Sequence, residues 1–114
     1  MMTRASLIAF CKTLSGVFED YPFHDPNWTV MRHTDGRKTF AFIYEANGRV
    51  CLNLKCMPEL AVLLRGAYRD VIPGYHMNKE HWNTVITGGD VPDAEVEKLI
   101  ALSYDLTTPP KGRK

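Results

Sequence analysis

Apolar and polar positions alternate along this chain in two rhythms, and the change of rhythm marks its elements. Leu7, Phe10, Cys11 and Leu14 recur at helical spacing behind Thr3, an N-cap residue type, and predict a helix over 3–14 that Ser15-Gly16 stops. Val17 and Phe18 read as one further apolar turn, and Tyr21 to Pro26, rich in proline and aromatics, as a loop packed on the body. From Trp28 the period drops to two. Trp28, Val30 and Arg32 alternate with Thr29, Met31 and His33, and Phe40, Phe42 and Tyr44 alternate with Thr39, Ala41 and Ile43. Val50, Leu52 and Leu54 line one side of a third strand. Asp35-Gly36 and Asn47-Gly48 are two-residue hairpin signals, so 28–33, 38–45 and 49–55 predict an antiparallel meander whose middle strand is buried on both faces.

Pro58 opens a short helix to Tyr68 with Leu60, Leu63, Leu64 and Ala67 as its buried stripe. Residues 69–80 are irregular around a Pro73-Gly74 turn, and 81–87 resume strand alternation with Trp82, Thr84 and Ile86 on one side. The last helix, 92–106, gathers Asp93, Glu95 and Glu97 near its positive dipole end and buries Val96, Leu99, Ile100 and Tyr104. The expectation is an α+β fold: an antiparallel sheet with N-terminal and C-terminal helices packed on it. One domain covers 1–108, followed by a basic, disordered tail over 109–114.

Composition narrows the class. At 114 residues, 45% hydrophobic and 24% charged, the chain suits one globular domain and excludes collagenous or disordered classes. No apolar run reaches membrane length and the N-terminus lacks a secretory pattern, so the expected place is the cytoplasm, with no membrane partner. Cys11, Cys51 and Cys56 cannot all pair within one chain, and Cys51 and Cys56 face opposite sides of a strand, which argues for reduced thiols without disulfide or metal. The net charge of +1 does not announce nucleic-acid binding. Its distribution adds a little: Trp28 to Trp82 holds eight Lys/Arg against five acids, whereas Asp90 to Asp105 holds five acids and only Lys98.

Catalytic chemistry finds few candidates. His76 and His81, with Glu80 between them, fit neither a helical metal pair nor one face of a strand. Thr87-Gly88-Gly89-Asp90 lacks the lysine and glycine spacing of a phosphate loop. In the last helix Tyr104 is expected to pack on Ile100 and Ser103 to bond a carbonyl of the preceding turn. No catalytic residue, cofactor or metal is expected, and the chain reads as a non-enzyme.

Several strings carry a resemblance: Trp28 before a basic strand, Lys38-Thr39-Phe40-Ala41, the run Pro73-Gly74-Tyr75-His76-Met77-Asn78-Lys79-Glu80-His81-Trp82-Asn83-Thr84-Val85, then Val91-Pro92-Asp93, Leu99-Ile100 and Ser103-Tyr104-Asp105-Leu106, of which Gly74 to Trp82 together with Ser103-Tyr104 is the specific part. From Leu7 to about Leu106 the sequence resembles the MmcQ/YjbR family of small bacterial proteins. The resemblance implies a CyaY-like α+β fold and DNA binding by similarity to the double-wing fold, with no agreed catalytic residues.

Phosphate contacts would then fall to Arg37 and Lys38 at one hairpin, Arg49 beside the other and Lys79 in the irregular segment, with His76 and Asn78 as secondary polar contacts. The plainer reading is that Arg37, Lys38 and Arg49 keep turns soluble and strand edges apart, that Lys79 lies over an aromatic, and that Trp28 and Trp82 belong to the core. The alternative function is an interaction module for a small molecule or protein, with Tyr21, Phe23, His24, Tyr75, His76 and Met77 lining a groove.

Overall fold

Six antiparallel strands and three helices make up the computed structural model, which describes residues 2–110. In chain order they are α1 (Arg4–Lys12), β1 (Val17–Asp20), β2 (Thr29–His33), β3 (Thr39–Ala46), β4 (Arg49–Lys55), α2 (Pro58–Ala67), β5 (Val71–Pro73), β6 (Trp82–Ile86) and α3 (Asp93–Thr107). The strand order is β1-β2-β3-β4-β6-β5. The fold is α+β, as the two rhythms of the sequence imply.

The two faces of the sheet differ because the helices bury only one. Met31, Ala41 and Leu54 form one cross-strand row, and Ile43, Leu52, Val85 and Val71 form the next. Against these rows pack Leu7 and Cys11 of α1, Ala61 and Leu64 of α2, and Val96 and Ile100 of α3. Ser103 fastens α3 to the sheet, its Oγ donating to the Phe40 carbonyl at 2.6 Å and accepting the Lys55 N–H at 2.8 Å. Tyr104 packs its ring on His33 and Phe40 and donates its hydroxyl to the Ser15 carbonyl. Both residues therefore reach other elements instead of bonding within their own helix.

Other expectations are corrected. Val17 and Phe18 do not extend α1: Gly16, at φ 66°, turns the chain so that Val17–Asp20 pairs with β2. Asn47 and Gly48 make the two-residue turn, both left-handed, at φ 54° and 76°. The Asp35-Gly36 hairpin is wider, because His33 donates to the Lys38 carbonyl and leaves a four-residue loop, 34–37. Beside it β3 carries a bulge. Met31 pairs with Ala41 but Arg32 pairs with Thr39, so Phe40 is the extra residue and shares the helix face with Ala41 instead of following Phe42 and Tyr44.

The α2 stripe is also rotated from expectation. Ala61 and Leu64 are buried, while Leu63 is 69% exposed and Ala67 is exposed. Asn83 sets this face by donating to the Ala61 carbonyl at 3.2 Å and accepting from Arg65 Nε at 2.7 Å. Pro109 packs near Gly36, and residues 111–114, most of the expected disordered tail, lie outside the described residues.

Candidate functional site

The face of the sheet away from the helices carries Val30, Phe42, Asn53 and Thr84 in one row and Tyr44, Cys51 and Ile86 in the next. Trp28, one step before β2, lays its ring on Tyr44 with centroids 4.1 Å apart and planes 20° apart. Phe42 meets Trp28 and Trp82 edge-on at 6.4 and 5.8 Å. This face is thus an aromatic surface with a short polar row through its middle.

A strap, residues 74–81, crosses it. Gly74 donates its N–H to the Trp82 carbonyl at 2.9 Å, and a Cβ at this position would lie 2.9 Å from both Trp82 Cβ and Trp82 O, so only glycine fits. Lys79 Nζ closes the turn on the Gly74 carbonyl at 3.1 Å, Asn78 Oδ1 accepts the Glu80 N–H at 2.9 Å, and the Arg65 guanidinium holds the Lys79 carbonyl. His76 is left-handed at φ 61°. The result is an ordered loop with both ends fixed.

Its central residue is held from beneath. The Tyr75 N–H donates to Thr84 Oγ1 and its carbonyl accepts from Asn53 Nδ2, both at 2.9 Å. Asn53 Oδ1 in turn accepts from the Tyr44 hydroxyl at 2.9 Å and the Thr84 hydroxyl at 2.7 Å. Burial pushes the Tyr44 phenol up to about 12, so it remains a donor across the ordinary pH range. Every bond of the network is directional, and together they fix the Tyr75 backbone while its side chain remains 51% exposed.

Two clefts flank the Trp28 and Tyr75 rings. One, about 510 Å³, extends over Tyr44, Cys51, Ile72 and Ile86 toward Glu45 and Arg49. The other, about 520 Å³, lies between Phe23 and the strap residues His76 and Met77, with Phe42 beneath and Asp25 at its rim. Phe23 is 49% exposed and meets Trp28 edge-on at 6.3 Å. The chemistry available is stacking on flat rings, with polar groups at the rims.

The six residues singled out from sequence do not converge. Arg37 lies 5.0 Å over the Phe18 ring, beside exposed Lys38. Arg49 is at the other end of β3, roughly 26 Å from Lys38 for eight residues of strand. Its Nη2 donates to Asp70 at 2.7 Å and its Nε to the Thr87 carbonyl at 3.1 Å. That bond holds the Asp70 carboxyl below the usual carboxylate range and raises the Arg49 guanidinium further. Lys79 and Asn78 are occupied in the strap, and His76 packs against Tyr75 with centroids 3.9 Å apart and planes tilted by 42°.

Of the groove residues, Phe23, Tyr75, His76 and Met77 share the second cleft; Tyr21 instead donates to Glu19, and His24 is not among the lining residues. Sequence reasoning missed Tyr44, Asn53 and Thr84, although an asparagine centred in an apolar strand was a signal. Trp28, half-buried, belongs to the cleft as well as to the packing. Among the described residues no three of His, Cys, Asp and Glu come together as a metal site.

The fold recurs in other proteins. A family model described as YjbR matches residues 12–106. The chain is 35% identical over 118 residues to the Bacillus subtilis protein YyaQ, covering 94% of this chain and 99% of that one. It is 37% identical over 103 residues to the Escherichia coli K12 protein YjbR, covering 90% and 85%. A Deinococcus radiodurans crystal structure superposes with a TM-score of 0.87 at 33% identity, covering all of this chain and 83% of that one. A Pseudomonas syringae crystal structure gives 0.84 at 33% identity, covering 94% and 100%. The family model runs from the last residue of α1 almost to the end of α3, so the whole sheet, the strap and the aromatic face lie within it, and the chain belongs to the YjbR family.

Proposed function

We propose that this chain is a non-enzymatic binding module whose ligand site is the aromatic cleft on the open face of the sheet. The observation that carries the reading is Tyr75. Its backbone is fixed by a buried asparagine and a buried threonine, yet half of its ring is left in solvent beside an equally exposed Phe23. A large aromatic held rigidly in water contributes little to packing; the same ring contributes fully once a flat ligand covers it. Three buried thiols, none in a disulfide among the described residues, support a reducing cytoplasmic setting. Among the described residues no helix is long and apolar enough to cross a membrane.

Titration with neutral quinoline, followed by tryptophan fluorescence, tests the site. Trp28 emission should change saturably, and Tyr75→Ala should weaken binding roughly tenfold, the order expected for one lost stacking partner. No saturable change in the wild-type protein would remove the reading. Duplex binding through Arg37, Lys38, Arg49 and Lys79 has weaker support, because only Arg37 and Lys38 are neighbours and Arg49 is paired with Asp70.

A further inference from the structure

We propose that the second cleft takes a small quaternary ammonium compound, its alkylated cationic head set among the rings of Phe23, Trp28 and Phe42 with the Asp25 carboxylate at the rim. This rests on the cleft reading above and adds the ligand's charge and shape to it.

Ring geometry supplies the first argument. Trp28 meets Phe23 at 86° and Phe42 at 78°, with centroids 6.3 and 6.4 Å away. These three rings line the same cleft, whereas Tyr44, which covers one face of Trp28, lines only the other. A flat ligand lies parallel to one of two perpendicular rings and meets the other edge-on. A trimethylammonium head is nearly spherical and has no plane to align, so it is attracted by ring faces in either orientation. It covers an exposed ring as a flat ligand does. Having no N–H, it also asks for no hydrogen-bond acceptor from walls made of ring carbon.

Charge supplies the second. Asp25 is the one acid among the residues lining this cleft, and no lysine or arginine is among them. The turn that sets Trp28 also sets Asp25: the Asp25 carbonyl accepts the Trp28 N–H at 3.1 Å, and its Oδ1 accepts the Asn27 N–H at 3.0 Å. Among the described residues no cation pairs with its carboxylate. Lys79, in the strap, turns its Nζ onto the Gly74 and Met77 carbonyls, and His76, the lining group able to become cationic, packs against Tyr75. The first cleft differs, because its Glu45 already faces Arg4 at 3.7 Å and Arg49 lines it too. Only the second sets an unpaired negative charge beside aromatic rings, which is the recognition chemistry of an organic cation. Its volume of about 520 Å³ suits a small compound and leaves room for the remainder of one beyond the head.

The test compares choline with 3,3-dimethylbutan-1-ol, which has the same shape without the charge, by tryptophan fluorescence of the full chain. Choline should bind saturably and at least roughly tenfold more tightly than the alcohol. Asp25→Asn keeps an oxygen for the Asn27 N–H and removes the charge; it should weaken choline roughly threefold or more and leave the alcohol unchanged. Phe23→Leu should weaken choline roughly threefold, and Phe23→Tyr should retain wild-type binding, since only the second keeps a ring face. Equal binding of the two probes overturns the proposal, as does unchanged choline binding in Asp25→Asn. A trimethyllysine peptide that binds at least tenfold more tightly than choline would replace the small compound with a protein partner and overturn it too. Quinoline binding without choline binding refutes the cation and leaves the cleft; failure of both refutes the cleft as well.

Discussion

Replacing Asn53 by leucine removes three hydrogen bonds and leaves the shape of the sheet nearly intact. The amide oxygen accepts from the hydroxyls of Tyr44 and Thr84, and the amide nitrogen donates to the Tyr75 carbonyl. Asn53 is fully buried, and Tyr44 and Thr84 are 3% and 2% exposed, so neither hydroxyl can turn to water. The Tyr75 carbonyl belongs to a half-exposed residue and recovers part of its loss by hydration. Two orphaned buried donors at about 1–3 kcal/mol each give a loss of about 2–6 kcal/mol, a large share of the roughly 5–15 kcal/mol of a typical domain. At about 1.5 kcal/mol per molar, a 3 kcal/mol loss lowers the urea midpoint by about 2 M. Urea melts read by tryptophan fluorescence measure this directly. Tyr44→Phe removes one of the two orphans in advance, so Asn53→Leu in that background should lose about 1–3 kcal/mol less than in the wild type. A loss under about 1 kcal/mol for Asn53→Leu, or identical losses in both backgrounds, would refute the argument that this network holds the strap.

Gly74→Ala should destabilise by about 1–3 kcal/mol in the same melts, because its Cβ meets the Trp82 backbone, whereas Gly66→Ala, in open space on α2, should stabilise by up to about 1 kcal/mol. Burial lowers the His33 pKa below its ordinary 6.5. The unfolded chain therefore takes up the proton first, and the stability contribution, complete above 6.5, is lost as pH falls through the lower folded value. A decline in stability as pH falls below about 6.5 should shrink in His33→Gln, as pH-dependent melting would record. Burial pushes the Cys11 thiol up to about 12 and raises Cys51 and Cys56 as well, so Ellman's reagent should react slowly with the native chain and with all three thiols in denaturant.

The sequence was most legible where local chemistry and tertiary structure agree. Asn47-Gly48 needs two left-handed residues and has them, and the alternation of β2 and β4 survives folding unchanged. It was least legible where a distant partner decides. Val17–Asp20 is too short and too acidic to announce a strand, and only pairing with β2 makes it one. Three residues ending in proline hide β5 in the same way. The bulge at Phe40 moves one side chain across the sheet without leaving a trace in the hydrophobic pattern. In α2 the apolar residues occur on more than one side, and the Asn83 bonds choose among them. The dispersal of the cations was hidden for a related reason: spacing along a hairpin says nothing about which end of an eight-residue strand a side chain occupies, nor that Arg49 meets Asp70.

The strand order has a kinetic consequence. Strands β1 to β4 pair with their immediate neighbours in sequence, but β6 reaches β4 only after residues 56–81 have been laid down as α2, β5 and the strap. Closing that longer loop is entropically slower than forming the hairpins, so the meander nucleates and β6, with β5 at the edge, docks afterwards. Asn53, Thr84 and Tyr75 join across this late seam. Weakening them should leave the refolding limb of a chevron almost unmoved and accelerate unfolding, so the open face of the sheet is also the place where the native state first comes apart.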